Sequence, residues 1–133
     1  MNHFVDAAAR NNLEVVANTM DSADEASLFS ALWKAVNYNR DVLVRCLLNS
    51  PRVRLLAANK GNACLIKAAE QGNTVIVAML LAVPAVAEKA NAQHNLALLR
   101  ARLTLNKELV DLLKVVPAIA SDPSTVEIVQ GIY

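Results

Sequence analysis

The chain is poor in the residues that make turns and in those that fill large aromatic cores. Its 133 residues include 3 Gly, 4 Pro and 2 Cys, and aromatic residues make up only 4%. So few turn formers disfavour a sandwich or barrel with many turns, whereas abundant Ala and Leu favour helices. The two cysteines, Cys46 and Cys64, form no disulfide framework and fit a reducing compartment. We therefore expect an all-α protein.

Long hydrophobic runs are also missing, and we expect no secretory leader. The longest apolar run, residues 75–87, is interrupted by Pro84. It is shorter than the roughly 20 residues that a membrane-spanning helix needs. The chain opens on Met1-Asn2-His3-Phe4, not on a basic stretch followed by an apolar one. We expect no membrane span and a cytoplasmic location.

Charge is nearly balanced overall but unevenly distributed. The formal net charge is +1, yet residues 1–33 hold one basic and five acidic side chains, and residues 34–67 hold seven basic and one acidic. A near-neutral total argues against a nucleic-acid binder. The central basic band would attract an acidic partner, with a merely solvated basic face as the alternative.

What the sequence does contain is a repeat of 33 residues. Three of the four prolines, Pro51, Pro84 and Pro117, are separated by this interval. Apolar positions fall into the same register: Leu32, Leu65 and Leu98; Ala35, Ala68 and Ala101; Leu43, Ile76 and Leu109; Leu47, Leu80 and Leu113. A shortened earlier copy begins at Phe4, 28 residues before Leu32. Repetition at such a period is typical of stacked structural units.

Each copy predicts two helices joined by a tight turn. In the third copy a helix over 64–71 ends at Gly72-Asn73, and a second helix runs over 74–83. The segments that start at the prolines are rich in Ala, so we expect short helical turns there. Ser22 and Glu25 have the spacing of a capping box, which predicts a helix start that leads into residues 32–36.

Residues 65–81, LIKAAEQGNTVIVAMLL, resemble the ankyrin pattern L-H-x-A-A-x-x-G-H-x-x-V-V-x-x-L-L, and 33 is the ankyrin period. The resemblance covers roughly residues 4–120. It implies a helical solenoid of about four divergent ankyrin-like helix-turn-helix repeats, over residues 4–30, 31–63, 64–96 and 97–120. A capping or stub helix would follow over 122–133.

Two departures from the ankyrin pattern stand out. The T-P-L-H start is reduced to residues 31–33, 64–66 and 97–99, and short helical turns are expected where ankyrin repeats have β-hairpin fingers. The tetratricopeptide pattern is also absent, so other helical solenoids remain the structural alternative. Residues 80–88, LLAVPAVAE, are similar to ankyrin arrays in effector proteins of intracellular bacteria. That likeness implies action in the cytosol of a host cell.

Residue patterns for catalysis or metal binding are not found. His3 and His94 have no Cys, Asp or Glu at ligand spacing. We expect Cys46 to be a small buried hydrophobe, and Cys64 to open a helix, where a thiolate would be mildly favoured. The three glycines are too dispersed to cradle a phosphate. We therefore expect no enzyme and no cofactor or metal. An active site assembled only in three dimensions is the enzymatic alternative.

The resemblance implies a monomeric protein-interaction module that binds a partner along its concave surface. Transferred position by position, it gives these partner-binding candidates: Lys34, Asn37, Tyr38, Lys60, Asn62, Lys67, Glu70, Gln71, Gln93, Arg100 and Thr104, with Asn59 and Asn95 beside them. Lys34, Lys67 and Arg100 share one repeat position and should form a basic ladder toward an acidic protein surface. Trp33 is expected in the core and Tyr38 at the surface.

The alternative function is self-association through the C-terminal segment. Apolar residues recur there at helical spacing: Val126, Ile128, Val129, Ile132 and Tyr133. They would either cover the fourth repeat or join two copies of the chain in an assembly.

Overall fold

The computed structural model describes residues 4, 7, 8 and 10–130. This part of the chain is all-helical and contains no strand, so the predicted all-α class is confirmed. Phe4, Ala7 and Ala8 are helical and buried. None of the helices in the described ranges is long and apolar enough to cross a membrane.

Three kinds of helix alternate along the chain. In chain order the α-helices are α1 (Leu13–Thr19), α2 (Glu25–Asn37), α3 (Asp41–Leu48), α4 (Pro51–Leu56), α5 (Asn59–Gln71), α6 (Thr74–Leu81), α7 (Pro84–Glu88), α8 (Ala92–Leu103), α9 (Lys107–Lys114), α10 (Pro117–Ala120) and α11 (Ser124–Gln130). A 3₁₀ turn over Met20–Ser22 joins α1 to α2. A long helix (α2, α5, α8), an eight-residue helix (α3, α6, α9) and a short helix (α4, α7, α10) therefore recur in that order.

The turn before each of α1, α3, α6 and α9 contains one residue in the left-handed region. These residues are Asn11, Asn39, Gly72 and Leu105, with φ of 57°, 55°, 73° and 59°. The last three are separated by the interval of 33 that the sequence shows, so the sequence repeat is also a repeat of backbone conformation. Gly72 ends α5 as predicted, because glycine adopts positive φ without steric cost.

The short helices begin at the three spaced prolines. Pro51, Pro84 and Pro117 each occupy the first turn, and the residue before each has an extended backbone. Proline favours both features, because its ring fixes φ near the helical value and restricts the preceding residue. The predicted short helical turns are confirmed.

One predicted helix start is wrong in detail. The Asp24 carboxylate, not Ser22, accepts the capping hydrogen bond of α2, from the Ser27 backbone N–H at 2.8 Å. Ser22 instead closes the 3₁₀ turn by donating its hydroxyl to the Thr19 carbonyl. Asp caps helices as well as Ser does, so the helix still begins at Glu25.

Two left-handed triplets precede the right-handed parts of α5 and α8, and the sequence did not predict them. Residues 60–62 have φ of 57°, 67° and 64°, and residues 93–95 have φ of 57°, 60° and 65°. Each triplet ends in a buried asparagine, Asn62 or Asn95. The Asn62 amide donates to the carbonyls of Val86 and Lys89 at 3.0 and 2.9 Å. These bonds to the next short helix hold the triplet in place.

Helices of one kind pack against the same kind in the next copy. Thus α5 packs against α2 and α8, and α6 packs against α3 and α9. The small side chains of Ala35, Ala68 and Ala101 are buried on the long helices, which allows neighbouring helices to approach closely. The buried Leu, Val and Ile side chains of successive copies form one continuous core.

The last helix, α11, packs against α8. Thr125 and Ile128 are buried, and Val129 packs against the core. Val126 is 58% exposed, so α11 covers the array with Thr125 and Ile128 and leaves Val126 uncovered. Ile132 and Tyr133 lie outside the described residues.

Candidate functional site

An open groove of about 460 Å³ lies between α2 and α5. We call it the α2–α5 groove. Its lining is mostly apolar, with one ammonium group: Ala26, Phe29, Ser30 and Trp33 from α2, and Lys60 and Ala63 from α5. The long helices, to which the sequence assigned a binding surface, thus carry a recess of the size that small ligands or single side chains occupy.

The groove wall on α2 lies beside the stripe that faces the core. Leu28, Leu32 and Ala35 form part of that buried stripe. Phe29 and Trp33 are half-buried, because each packs against the core on one side and lines the groove on the other. The expectation that Trp33 serves the core is therefore only partly right.

Lys60 supplies the positive charge of the groove. Its Nζ lies 5.7 Å from the centroid of the Phe29 ring, within the range of a cation–π contact. Within the described ranges Lys60 forms no ion pair. Its backbone is fixed from the next copy, because the Gln93 amide donates to the Gly61 carbonyl at 2.9 Å. A Cβ on Gly61 would lie 2.6 Å from the Gln93 Nε2, so any other residue there would displace the end of the Gln93 side chain.

The predicted basic ladder lies on three successively packed helices. Lys34 and Arg100 are exposed on α2 and α8, and Lys67 is half-buried on α5. The Lys67 ammonium is 3.7 Å from the Glu70 carboxylate, a partly exposed pair of small energetic value. Lys34 and Arg100 therefore present their charges to solvent, whereas the charge of Lys67 is partly neutralised by Glu70.

Asn62 requires a correction. It was predicted to contact a partner, but only 1% of it is exposed, and both amide protons bind backbone carbonyls of the protein. Asn95, predicted beside it, is likewise buried and donates to the hydroxyls of Ser124 and Thr125. Both asparagines join neighbouring copies of the repeat and are unavailable to a partner.

The remaining candidates divide between surface and internal roles. Tyr38 is 68% exposed, as predicted, and Lys60, Glu70 and Gln93 are also exposed. The Gln71 amide donates to the Asn37 carbonyl at 2.8 Å and so joins α5 to α2.

Two further candidates also form internal hydrogen bonds. The Asn37 amide donates to the Trp33 carbonyl, and the Thr104 hydroxyl donates to the Ala101 carbonyl. Both side chains are half-buried.

Sequence reasoning missed Phe29 and an apolar recess on α8. Phe29 has the repeat position of Asn62 and Asn95, and this departure from the repeat was the available signal. The recess measures about 240 Å³ and is lined by Leu96, Leu99, Arg100, Arg102 and Leu103. No pattern in the sequence indicated this recess, because leucines on a helix normally indicate core.

The cysteines offer no activated nucleophile. Cys64 lies at the start of the right-handed part of α5, as predicted, but it is fully buried, and burial raises the pKa of its thiol to about 12. The prediction of a favoured thiolate is therefore wrong. Cys46 is half-buried, and burial raises its pKa as well. The described ranges contain no group of His, Cys, Asp and Glu side chains that would hold a metal ion.

Comparison with family models, with curated proteins and with solved structures gives no match to this chain.

Proposed function

We propose that the chain is a non-catalytic module that binds another protein on the surface formed by α2, α5 and α8. The observation that supports this most is the α2–α5 groove, where Phe29 and Trp33 lie beside Lys60. Partly exposed aromatic side chains next to cations are typical of the residues that dominate binding energy at protein interfaces.

We further propose that the array belongs to the ankyrin type, in a divergent form with about four repeats. The ankyrin-like residues 65–81 and the 33-residue recurrence of turns and proline-led helices support this assignment. Action as a bacterial effector in the host-cell cytosol is a separate proposal, and it is supported by the likeness of residues 80–88 alone.

The proposed function is tested by reversing the charge of the ladder. For the variant Lys34→Glu/Lys67→Glu/Arg100→Glu, we expect the immobilised chain to lose its capture of protein partners. Quantitative mass spectrometry of the captured proteins measures this loss. The matched control, Arg45→Glu/Lys89→Glu/Lys107→Glu, changes three exposed cations outside α2, α5 and α8 and should retain them. Thermal stability should stay nearly the same in both. Equal capture by the two variants would remove the ladder from the proposed interface.

A second candidate function, self-association, is favoured by one observation. Val126 on α11 is a large apolar side chain that is 58% exposed. If two copies join there, light scattering of the intact chain should give the mass of a dimer, and Val126→Glu should return it to a monomer. A monomer at all concentrations would leave the interaction module as the better proposal.

A further inference from the structure

We propose that the α2–α5 groove takes a short acidic segment of a partner protein, with one large apolar side chain inserted against Phe29 and Trp33. This inference rests on the proposed function, because it specifies the partner chemistry for the same surface. Three observations support it: the apolar walls, the basic surroundings and the fixed position of Lys60.

The walls select an apolar side chain. Ala26 and Ala63 are too small to fill the space between the helices, and the rings of Phe29 and Trp33 are left half-buried. A leucyl or aromatic side chain placed there removes apolar surface of both partners from water, which is the main driving force of association. A purely polar segment would gain nothing from these walls.

The surroundings select a negative charge beside that side chain. Among the described residues, no acidic side chain lines the groove. Lys60 lies in the groove and Lys34 directly follows Trp33, and neither forms an ion pair within the described residues. The acid nearest in sequence to the lining is Glu25, at the start of α2. We therefore expect the carboxylates of the bound segment to lie toward Lys34 and Lys60, away from Glu25.

The position of Lys60 is prepared before binding. The left-handed triplet that carries it is held by the Asn62 amide and by the Gln93 amide, both of which bond to a neighbouring copy. A side chain on a fixed backbone loses less conformational freedom on binding, so its contact with a carboxylate contributes more to affinity. Hydrogen bonds to the end of α7 and from α8 thus hold the α5 wall of the groove in place.

The test starts from a displayed library of random peptides, selected against the immobilised full chain. We expect the enriched peptides to combine Leu or Phe with neighbouring Asp or Glu. Trp33 is the only tryptophan of the chain, so synthetic peptides that lack tryptophan are titrated by its fluorescence. Burial of the indole should shift its emission to shorter wavelengths.

Two variants locate the bound peptide. Ala26→Leu fills the groove and should weaken binding by about tenfold or more, whereas the control Ala78→Leu, at an exposed alanine of α6, should not. Lys60→Gln removes the charge but introduces the residue that occupies the same repeat position at Gln93, with the same φ of 57°. This variant should weaken the binding of acidic peptides by about fivefold.

Several results would overturn the inference. Enrichment of basic peptides, no enrichment at all, or equal affinity for Ala26→Leu and Ala78→Leu would each do so. A single-stranded DNA probe that shifts Trp33 emission and competes with the peptides would replace the acidic segment with a nucleic acid. Peptides that bind Ala26→Leu as tightly as the original chain but fail to bind Lys67→Glu/Arg100→Glu would exclude this groove. The proposed function would then stand. Equal partner capture by the ladder variant and its control would contradict the proposed function itself.

Discussion

Leu105 combines two unfavourable features in one residue. It lies in the turn between α8 and α9 with φ of 59°, and it is 85% exposed. A branched side chain in the left-handed region costs about 1–2 kcal/mol, and an exposed side chain recovers little of that by packing. The preceding copies have Asn39 and Gly72 at this position, two residue types that tolerate the conformation.

We expect Leu105→Asn to raise the free energy of unfolding by about 1 kcal/mol, because the backbone strain falls and almost no buried surface is lost. Urea denaturation followed by circular dichroism measures this change. The control is Leu103→Asn, which removes a similarly exposed leucine (71%) from a helical position. If the control stabilises the protein as much, relief of strain is not the cause.

Cys64 should make the protein sensitive to alkaline pH. Its thiol titrates near 9.0 when unperturbed and at about 12 when folded. Between these values the unfolded chain loses the proton and the native protein keeps it, so the free energy of unfolding falls as pH rises. The slope approaches about 1.4 kcal/mol per pH unit, and below the unfolded pKa the effect vanishes.

We expect Cys64→Ala to flatten this alkaline slope, although the cavity it leaves lowers stability at neutral pH. Urea unfolding of the variant and the original chain over a series of pH values shows the difference. Cys46→Ala serves as the control, because Cys46 is less buried and should change the slope less. Parallel pH profiles for all three proteins would contradict the assignment to Cys64.

At the scale of the helices, an asparagine caps the N-terminus of α1, α6 and α9, and no asparagine caps α3. Asn12, Asn73 and Asn106 accept hydrogen bonds from backbone N–H groups in the first turns of α1, α6 and α9. Arg40 occupies the corresponding place before α3 and makes no such bond. Asn73 also donates to the side chains of Asn39 and Asp41 in the preceding copy.

We expect Arg40→Asn to stabilise the protein by up to about 1 kcal/mol, because the new side chain would accept from the first turn of α3. The loss of the Arg40–Tyr38 cation–π contact, at 5.9 Å, offsets part of this gain. Thermal unfolding measures the net effect. Asn73→Ala is the opposite test and should destabilise by more than a cap alone, since it also breaks the bonds to the preceding copy. If Arg40→Asn leaves the stability unchanged, solvent already hydrogen-bonds the backbone N–H groups in the first turn of α3.

Elements with local signals were predictable, and elements fixed by distant partners were not. The proline-led helices and the turn at Gly72 follow from what Pro and Gly do to their own backbone. The triplet at residues 60–62 has no such local cause. It depends on the Asn62 amide, whose acceptors lie 24 and 27 residues further along the chain. A periodicity search cannot detect a bond of that range.

At the scale of the whole molecule, the same limit explains the errors at the site. Register alone placed Asn62 on the binding surface, although the next copy covers it. Register also placed Trp33 with Ile66, which is buried, although α2 and α5 pack so that the indole keeps an open side. The sequence therefore indicated which helices form the surface, and the packing between copies determined which of their side chains reach it.

Packing between copies should also determine how the molecule unfolds. In an array, each copy is stabilised by its neighbours, so a weakened end unfolds before the rest. Asn62 joins α5 to α7, near the centre, whereas Asn95 joins α8 to residues of α11, at the C-terminal end. Each change to alanine leaves buried polar groups unpaired, at a cost of about 2 kcal/mol. The two variants should therefore differ in which part of the array loses stability.

We expect Asn62→Ala to lower the unfolding midpoints seen by Trp33 fluorescence and by circular dichroism equally, since Trp33 lines the groove with Lys60 and Ala63, on either side of Asn62 in sequence. In Asn95→Ala the circular dichroism midpoint should fall while the Trp33 midpoint changes less, because the C-terminal copies unfold first. Parallel urea titrations with both signals test this. Coincident curves in Asn95→Ala would show that the copies unfold as a single cooperative unit. The groove between α2 and α5 would then depend on contacts along the full length of the described chain.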